Sequence, residues 1–202
     1  MKDNHLKIIV QNHVYPPSED TFLLLDAIEV GPSESFLEVG CGSGYILANA
    51  ASISFRAIGL DFSFAAVRNT KQNLLSNNLE ENAEVFLSDL LDAFLPNTRF
   101  DVIVFNPPYL PSDEDGTGLD HALIGGIRGS EITERFVRQA MQHLSPSGRI
   151  YTIVSSLSGH SQLERCIEDA GFEMTTVESG AFFFERLSVI RVTSSRKPFY
   201  KS

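Results

Sequence analysis

Residues 35–44 read Ser35-Phe36-Leu37-Glu38-Val39-Gly40-Cys41-Gly42-Ser43-Gly44, and their pattern indicates the fold class. Its first five residues are mostly apolar, which predicts a buried strand. Its alternate glycines predict a sharp turn where that strand leaves the sheet and where a ligand can approach the backbone closely. Residues 45–51 continue as a helix. A strand, a glycine-rich turn and a helix together indicate the first unit of an α/β fold.

The rest of the chain repeats this alternation of strands and helices. Further strands are predicted near residues 57–60, 83–87, 100–105, 149–154, 172–178 and 186–193. Helices are predicted between them, from Ser63 as N-cap to Asn77 with Phe64, Val67, Lys71 and Leu74 on one side, over 132–144 with a break at 146–148, and over 163–170. We therefore expect a seven-stranded, mostly parallel sheet with helices on both faces. With 202 residues, the chain is expected to form a single domain over 1–202.

Composition narrows the class of protein. A net charge of −10 disfavours a broad nucleic-acid surface, which needs a basic stripe. The excess of acidic residues either suits a basic protein partner or only keeps the chain in solution.

No apolar run approaches the ~20 residues that span a bilayer. Cys41 and Cys166 lie far apart, which predicts no disulfide framework and favours a cytoplasmic protein. The histidines are scattered, so no metal site is expected.

A second decisive stretch ends the fourth predicted strand, as Asn106-Pro107-Pro108-Tyr109. The Asn106 carbonyl can accept a hydrogen bond. Pro107 and Pro108 donate none, but their carbonyls can accept. Tyr109 offers a flat ring with a polar tip. Together they predict a stiff, acceptor-rich pocket for a planar NH₂ group. The alternative is a simple strand-ending turn, because Asn-Pro is common turn chemistry.

Three carboxylates also stand at predicted strand ends. Glu38 would repel a phosphate but could pair with a cation, and the glycines do not match the dinucleotide pattern. Asp61 could accept both hydroxyls of a ribose, and Asp89 could accept from an adenine amino group. Each has a structural alternative, since Asp61 could be a helix N-terminal acid and Asp89 a turn or capping residue.

The glycine-rich turn, Asp61, Asp89 and Asn106-Pro107-Pro108-Tyr109 follow the first four predicted strands in that order. This arrangement resembles that of the class I S-adenosylmethionine-dependent methyltransferases. With Asn106-Pro107-Pro108-Tyr109, the chain is similar to the branch that methylates amino or amide nitrogens. Two more segments are similar to the archaeal and eukaryotic HemK-type methyltransferases: Val14-Tyr15-Pro16-Pro17-Ser18-Glu19-Asp20-Thr21-Phe22-Leu23-Leu24-Leu25-Asp26-Ala27 and Gly125-Gly126-Ile127-Arg128-Gly129. The chain differs in carrying Ile124 where an aromatic residue is usual, and in lacking the N-terminal helical domain of bacterial members.

The resemblance implies methyl transfer from S-adenosylmethionine to a glutamine side-chain nitrogen in the Gly-Gly-Gln loop of a translation release factor. It also implies a small zinc-binding activator subunit as a partner. Asn106, Pro107 and Tyr109 are the expected catalytic residues. The expected cofactor-binding residues are Tyr15, Thr21, Glu38, Gly40, Gly42, Asp61, Asp89 and Asn106, with Tyr15 and Thr21 assigned by resemblance alone.

Three other functions use some of the same features. An adenine amino-group methyltransferase acting on DNA or RNA would use the same acceptors on a flipped base, but the net charge and the lack of a target-recognition domain count against it. A non-catalytic cofactor-binding subunit would not need Asn106 and Tyr109, so their presence argues against that function. A nucleotide-dependent oxidoreductase would need a phosphate-type glycine pattern, which the glycines of this chain do not match.

Two further segments bear on partners. Residues 110–129 are rich in Pro, Gly and Asp, which predicts a substrate clamp. The resemblance to the class I methyltransferases implies that Ala83–Leu87 is the outer strand of the sheet. Phe86 on that strand is either covered by a helix of its own domain or paired with the activator subunit.

Overall fold

The structure, a computed structural model, describes residues 5–108, 130–158, 160–182 and 185–195. Tyr109 and the segment 110–129 lie outside the described residues. In chain order the elements are α1 (Glu19–Ala27), β1 (Ser35–Val39), α2 (Tyr45–Ala51), β2 (Arg56–Asp61), α3 (Phe64–Ser76), β3 (Ala83–Leu87), β4 (Phe100–Phe105), α4 (Glu131–Gln142), β5 (Leu144–Ser155), α5 (His160–Asp169), β6 (Phe172–Phe182) and β7 (Glu185–Ser194).

The strands of the described chain form one sheet in the order β3-β2-β1-β4-β5-β7-β6. The first five are parallel, and β7 runs antiparallel to both β5 and β6. The chain moves outward from β1 to β3 and then returns to place β4 on the other side of β1. Loops diverge at such a reversal and leave a crevice at the carboxyl ends of the strands. The predicted seven-stranded, mostly parallel α/β fold is confirmed.

Helices cover both faces of the sheet. One core lies under α1, α2 and α3, and the other lies under α4 and α5. Strand β1 serves both cores, because successive side chains of a strand point to opposite faces. Phe36 therefore packs in the first core and Leu37 in the second. No helix in the described ranges is long and apolar enough to cross a bilayer.

Two local predictions are wrong. Phe64 was expected on the same side of α3 as Val67 and Leu74, yet it is 70% exposed. The buried face of α3 begins at Ala66 instead. The Ser63 side chain caps the helix by accepting the Ala66 N–H. Leu144 was expected to end α4, but it opens β5 opposite Phe100. The register then shifts, so residues 145–148 form an irregularity that accommodates Pro146 within a strand.

An extended segment, residues 7–11, is held along α3 by Asn69, Asn73 and Asn77. Their side-chain carbonyls accept backbone N–H groups at 2.7–3.0 Å, from Gln11, Ile9 and Lys7 respectively. Their amides donate back to carbonyls of the same segment. Four helical residues advance about 6 Å and two extended residues about 6.6 Å, so the two repeats match. This segment leads directly to Tyr15 at the cleft described below.

At the opposite end of the strands, Glu34 and Arg149 form a bidentate ion pair, with Nη–Oε distances of 2.7 and 2.8 Å. Arg149 also donates to the Glu29 carbonyl, and Glu34 accepts from the Gly31 N–H. These side chains are largely shielded from solvent. The hydrogen bonds from Arg149 lower the pKa of Glu34 below its ordinary value of 4.5. The pair joins the start of β1 to β5.

Replacing Glu34 by Gln should lower the free energy of unfolding by about 1–3 kcal/mol near pH 7, through loss of the charged hydrogen bonds. Because the folded pKa lies below the unfolded one, the carboxylate stabilises the fold above pH ~4.5, and this contribution disappears as the pH falls through the folded pKa. Urea unfolding should therefore show the stabilities of wild type and E34Q converging as the pH falls through the lowered pKa of Glu34. The exposed Glu29→Gln is the matched control, and a difference that persists at low pH would contradict this assignment.

Candidate active site

A cleft of about 380 Å³ opens at the carboxyl ends of β1, β2, β3 and β4. Its rim and walls come from the turn after β1, the residues that follow the other strands, and the start of α1. All predicted site residues within the described ranges line it, namely Tyr15, Thr21, Glu38, Gly40, Gly42, Asp61, Asp89, Asn106 and Pro107. Residues far apart in sequence are thus brought to one place.

The glycine-rich turn forms the floor of the cleft. Gly40, Gly42 and Gly44 all have positive φ, of 65°, 54° and 79°, a conformation that costs glycine little. A Cβ on Gly44 would also lie 2.6 Å from Thr70, so the turn could not pack on α3 with a larger residue there. The Thr70 hydroxyl donates to the Gly42 carbonyl at 2.9 Å. The turn is therefore fixed from below while its upper side faces the cleft.

Asp61 ends β2 and is buried beside that turn. One carboxylate oxygen accepts the Gly42 N–H at 2.9 Å, and the other accepts the Ser63 N–H at 2.8 Å. Burial raises the pKa of Asp61 against the opposing effect of these backbone hydrogen bonds. Each oxygen retains a lone pair for another donor. The carboxylate can consequently accept two hydroxyl groups of one diol.

Glu38, at the end of β1, is a second buried carboxylate. Its Oε2 has no hydrogen-bond partner among the described residues. Burial raises the pKa of Glu38 well above its ordinary value, and the neighbouring Asp61 raises it further. The carboxylate accepts a backbone hydrogen bond from Leu47, which opposes this rise in pKa. A positive group that reached Oε2 would offset the cost of burying it without a partner, so the side chain could pair with a cationic ligand.

Asp89 lies after β3 at the more open side of the cleft. One of its oxygens accepts from Arg135 of α4 at 2.5 Å, and Arg135 also lies 3.7 Å from Asp92. Both side chains of the Asp89–Arg135 pair are about half exposed. The other Asp89 oxygen stays available for an amino group. Within the described parts of the chain, no cluster of three metal-ligating side chains is present.

Asn106 follows β4 and is tied to α1. Its Nδ2 donates to Asp20 Oδ2 at 3.1 Å, whereas its Oδ1 is buried and has no partner in the described chain. Asp20 is only 4% exposed. It also accepts from the Tyr15 hydroxyl at 3.2 Å and from the Thr21 N–H at 2.6 Å. Burial and the charge of Asp20 raise the pKa of Tyr15 to about 12.

Neither Asp20 nor Arg135 stands out in the sequence as a site residue. Asp20 is one of two acidic residues in the first turn of α1, and Arg135 lies within α4. The only signal for Asp20 was that it stands between Tyr15 and Thr21, both assigned to the cofactor site. For Arg135 no pattern in the sequence connects α4 with the end of β3.

These groups give the cleft three chemical regions: a carboxylate for a diol, a carboxylate for a cation, and an unpaired amide oxygen at Asn106. Apolar side chains fill the space between them, including Ile46, Ala66, Leu90, Phe105 and Ile132. The arrangement can hold a ligand that carries both a ribose and a positive charge. It can also place a planar NH₂ group against the Asn106 oxygen.

Comparisons with known proteins agree with this arrangement. A family model described as the methyltransferase small domain matches residues 17–183. A Methanocaldococcus jannaschii protein assigned as a protein N5-glutamine methyltransferase is 34% identical over 189 residues, covering 92% of this chain and 94% of that protein. The mouse methyltransferase HEMK2 is 35% identical over 195 residues, covering 90% of each.

Among solved structures, a chain of the E. cuniculi Mtq2–Trm112 complex, which methylates the translation termination factor eRF1, has the same fold. It superposes with a TM-score of 0.70 at 23% identity, covering 90% of this chain and 99% of that one. The assignment of this chain to a family rests on the family model and on the two relatives. The present chain belongs to the methyltransferase small domain family and, within it, to the HemK-type protein-glutamine methyltransferases.

Proposed function

We propose that this protein transfers a methyl group from S-adenosylmethionine to the side-chain nitrogen of the glutamine in a release-factor Gly-Gly-Gln loop. The observation that carries the proposal is the buried, unpartnered Oδ1 of Asn106 at the cleft. A buried acceptor with no partner is costly, and an amide NH₂ entering the cleft would satisfy it. An enzyme acting on a release factor works where translation occurs, so we expect it in the cytoplasm.

The described residues fit S-adenosylmethionine. Asp61 would accept the two ribose hydroxyls, and Asp89 would accept from the adenine amino group through the oxygen that Arg135 leaves free. Glu38 would face the positive charge of the methionine portion. Gly40 and Gly42 would let the backbone lie against the cofactor.

Tyr15 and Thr21 would close the same site from the side of α1. When bound, the cofactor supplies an electrophilic methyl group on a positively charged sulfur. The residues of the chain must then hold the acceptor nitrogen in line with that methyl group.

An amide nitrogen is a poor nucleophile, because its lone pair is delocalised into the carbonyl. Asn106 Oδ1 and the Pro107 carbonyl would accept its two N–H groups and hold the nitrogen ~3–3.5 Å from the methyl carbon. With a pKa of about 12, Tyr15 is protonated at neutral pH and acts as a donor to Asp20 rather than as a base. The role predicted for Tyr109, packing on the planar group, stays a prediction.

A small zinc-binding activator subunit is the partner that we propose for the edge of the sheet. Among the described strands β3 is the outermost on that side, so one row of its backbone groups has no strand partner there. Phe86 and Leu87 on this strand are 44% and 56% exposed, and Phe62, next to the Asp61–Leu87 pair, is 79% exposed. The exposure of Phe86 supports the activator subunit over the alternative that a helix of the same domain covers this ring.

Replacing Asp61 by Ala should weaken S-adenosylmethionine binding by roughly 1–3 kcal/mol, because two charge-assisted hydrogen bonds are lost. Isothermal titration calorimetry measures the change directly. Asp26→Ala, an exposed carboxylate on α1, is the control and should bind as the wild type does. Unchanged affinity in D61A would remove Asp61 from the cofactor site.

Mass spectrometry of a release factor incubated with S-adenosylmethionine and the enzyme should show one added methyl group on the Gly-Gly-Gln glutamine. Asn106→Ala should lower the rate by about 100-fold or more, since its contribution is largest near the transition state, while cofactor affinity changes less. The exposed Asn97→Ala is the matched control. Methylation of adenine in nucleic acid instead of glutamine, or only a severalfold loss in N106A, would contradict the proposal.

Replacing Phe86 by Asp should prevent the activator subunit from co-purifying with the enzyme, because a charge would enter an apolar interface. Phe55→Asp changes an equally apolar, 74% exposed residue just before β2 and should leave the complex intact. Sedimentation of the lone wild-type protein as a fully active monomer would contradict a required partner.

A further inference from the structure

We infer that Asp20 is a positioning residue that fixes which end of the Asn106 amide faces the acceptor nitrogen. The inference rests on the proposed function, in which Asn106 Oδ1 accepts an N–H of the substrate. It assigns a role in methyl transfer to a side chain on α1, an element that carries none of the expected catalytic residues. The two residues are 86 positions apart, and a 3.1 Å hydrogen bond connects them.

The need for positioning follows from the shape of an amide. Its oxygen and its NH₂ group are almost the same size but opposite in hydrogen-bonding character. A half-turn of the Asn106 amide would present a donor to the substrate N–H in place of an acceptor. Among the described residues, the hydrogen bond that distinguishes the two orientations of the Asn106 amide is the one to Asp20.

Asp20 meets this requirement because its carboxylate can only accept. It already accepts from the Thr21 N–H and from the Tyr15 hydroxyl, which are donors. The Asn106 NH₂ must therefore be the end that faces Asp20. The opposite orientation would place Oδ1 against a carboxylate oxygen and lose the hydrogen bond, in a site where Asp20 is 4% exposed and water cannot compensate.

Tyr15 and Thr21, which are proposed to bind the cofactor, also hydrogen-bond to the Asp20 carboxylate. The Tyr15 hydroxyl donates to Oδ2, the oxygen that also accepts from Asn106. Thr21 donates to Oδ1 from both its backbone and its hydroxyl group. Thr21 Oγ1 in turn accepts the Ser18 N–H, which anchors the start of α1. Both residues thus hold the carboxylate in place, and through it the amide of Asn106.

A pair of substitutions at Asp20 separates positioning from simple structural support. In Asp20→Asn, the oxygen of the new side chain at position 20 can still accept from Thr21, but an NH₂ group now stands where Oδ2 stood. The Asn106 amide should then turn so that its oxygen accepts from the NH₂ of residue 20. The NH₂ of Asn106 would consequently face the substrate. In Asp20→Ala, the Asn106 amide has no carboxylate or amide partner and both orientations are populated.

We therefore expect kcat to be highest in the wild type, lower in D20A and lowest in D20N. We expect losses of about 10-fold for D20A and about 100-fold or more for D20N. A side chain needed only for folding would give the reverse order, since the isosteric amide disturbs packing less than truncation. Asp26→Asn, on the exposed side of α1, should match the wild type. A kcat for D20N equal to or above that of D20A would overturn the inference.

A second measurement does not depend on the acceptor. The Asn106 side-chain NH₂ resonances, assigned by their loss in N106A, should exchange slowly with solvent in the wild type and shift in D20N. Unshifted resonances in D20N would also overturn the inference. If the wild type fails to methylate the release factor while these resonances behave as expected, the proposed substrate is wrong and the positioning by Asp20 stands.

Discussion

The register of three central parallel strands sets the position of the proposed site. Val39 of β1 pairs with Leu60 of β2 on one side and with Phe105 of β4 on the other. The residues that follow these strands therefore emerge at the same level of the sheet. Asp61 and Asn106 reach one cleft for this reason, although 45 positions separate them. A slip of one residue in either pairing would move a functional side chain to the opposite face.

The cleft concentrates buried carboxylates that the fold alone does not neutralise. Asp20, Glu38 and Asp61 are all largely inaccessible, and burial raises the pKa of the last two. Such groups reduce the stability of the unliganded protein. A positively charged, hydroxyl-bearing cofactor and an amide acceptor, as proposed above, would satisfy them, which is the pattern expected where function competes with stability.

Most of the fold could be predicted because strand and helix periodicities are local. The Ser63 cap and the strands of the parallel sheet followed from short patterns, whereas the outer position of β3 followed from the family resemblance. The side chains that assemble the site were harder to predict. Phe64 fits a helical apolar pattern yet faces solvent, and the three asparagines of α3 reveal their role only beside an extended segment. Asp20 and Arg135 act through partners distant in sequence, which no local pattern shows.

In the proposed reaction, Asn106 Oδ1 accepts a hydrogen bond from the glutamine nitrogen while the cofactor lies across the glycine-rich turn. A crystal structure of the enzyme with S-adenosylhomocysteine and a Gly-Gly-Gln peptide would reveal this arrangement. We expect the glutamine nitrogen within hydrogen-bond distance of Asn106 Oδ1, ~2.7–3.2 Å, and pointing at the cofactor sulfur. A glutamine bound outside the cleft, or an Asn106 amide with its NH₂ toward the peptide, would contradict the account.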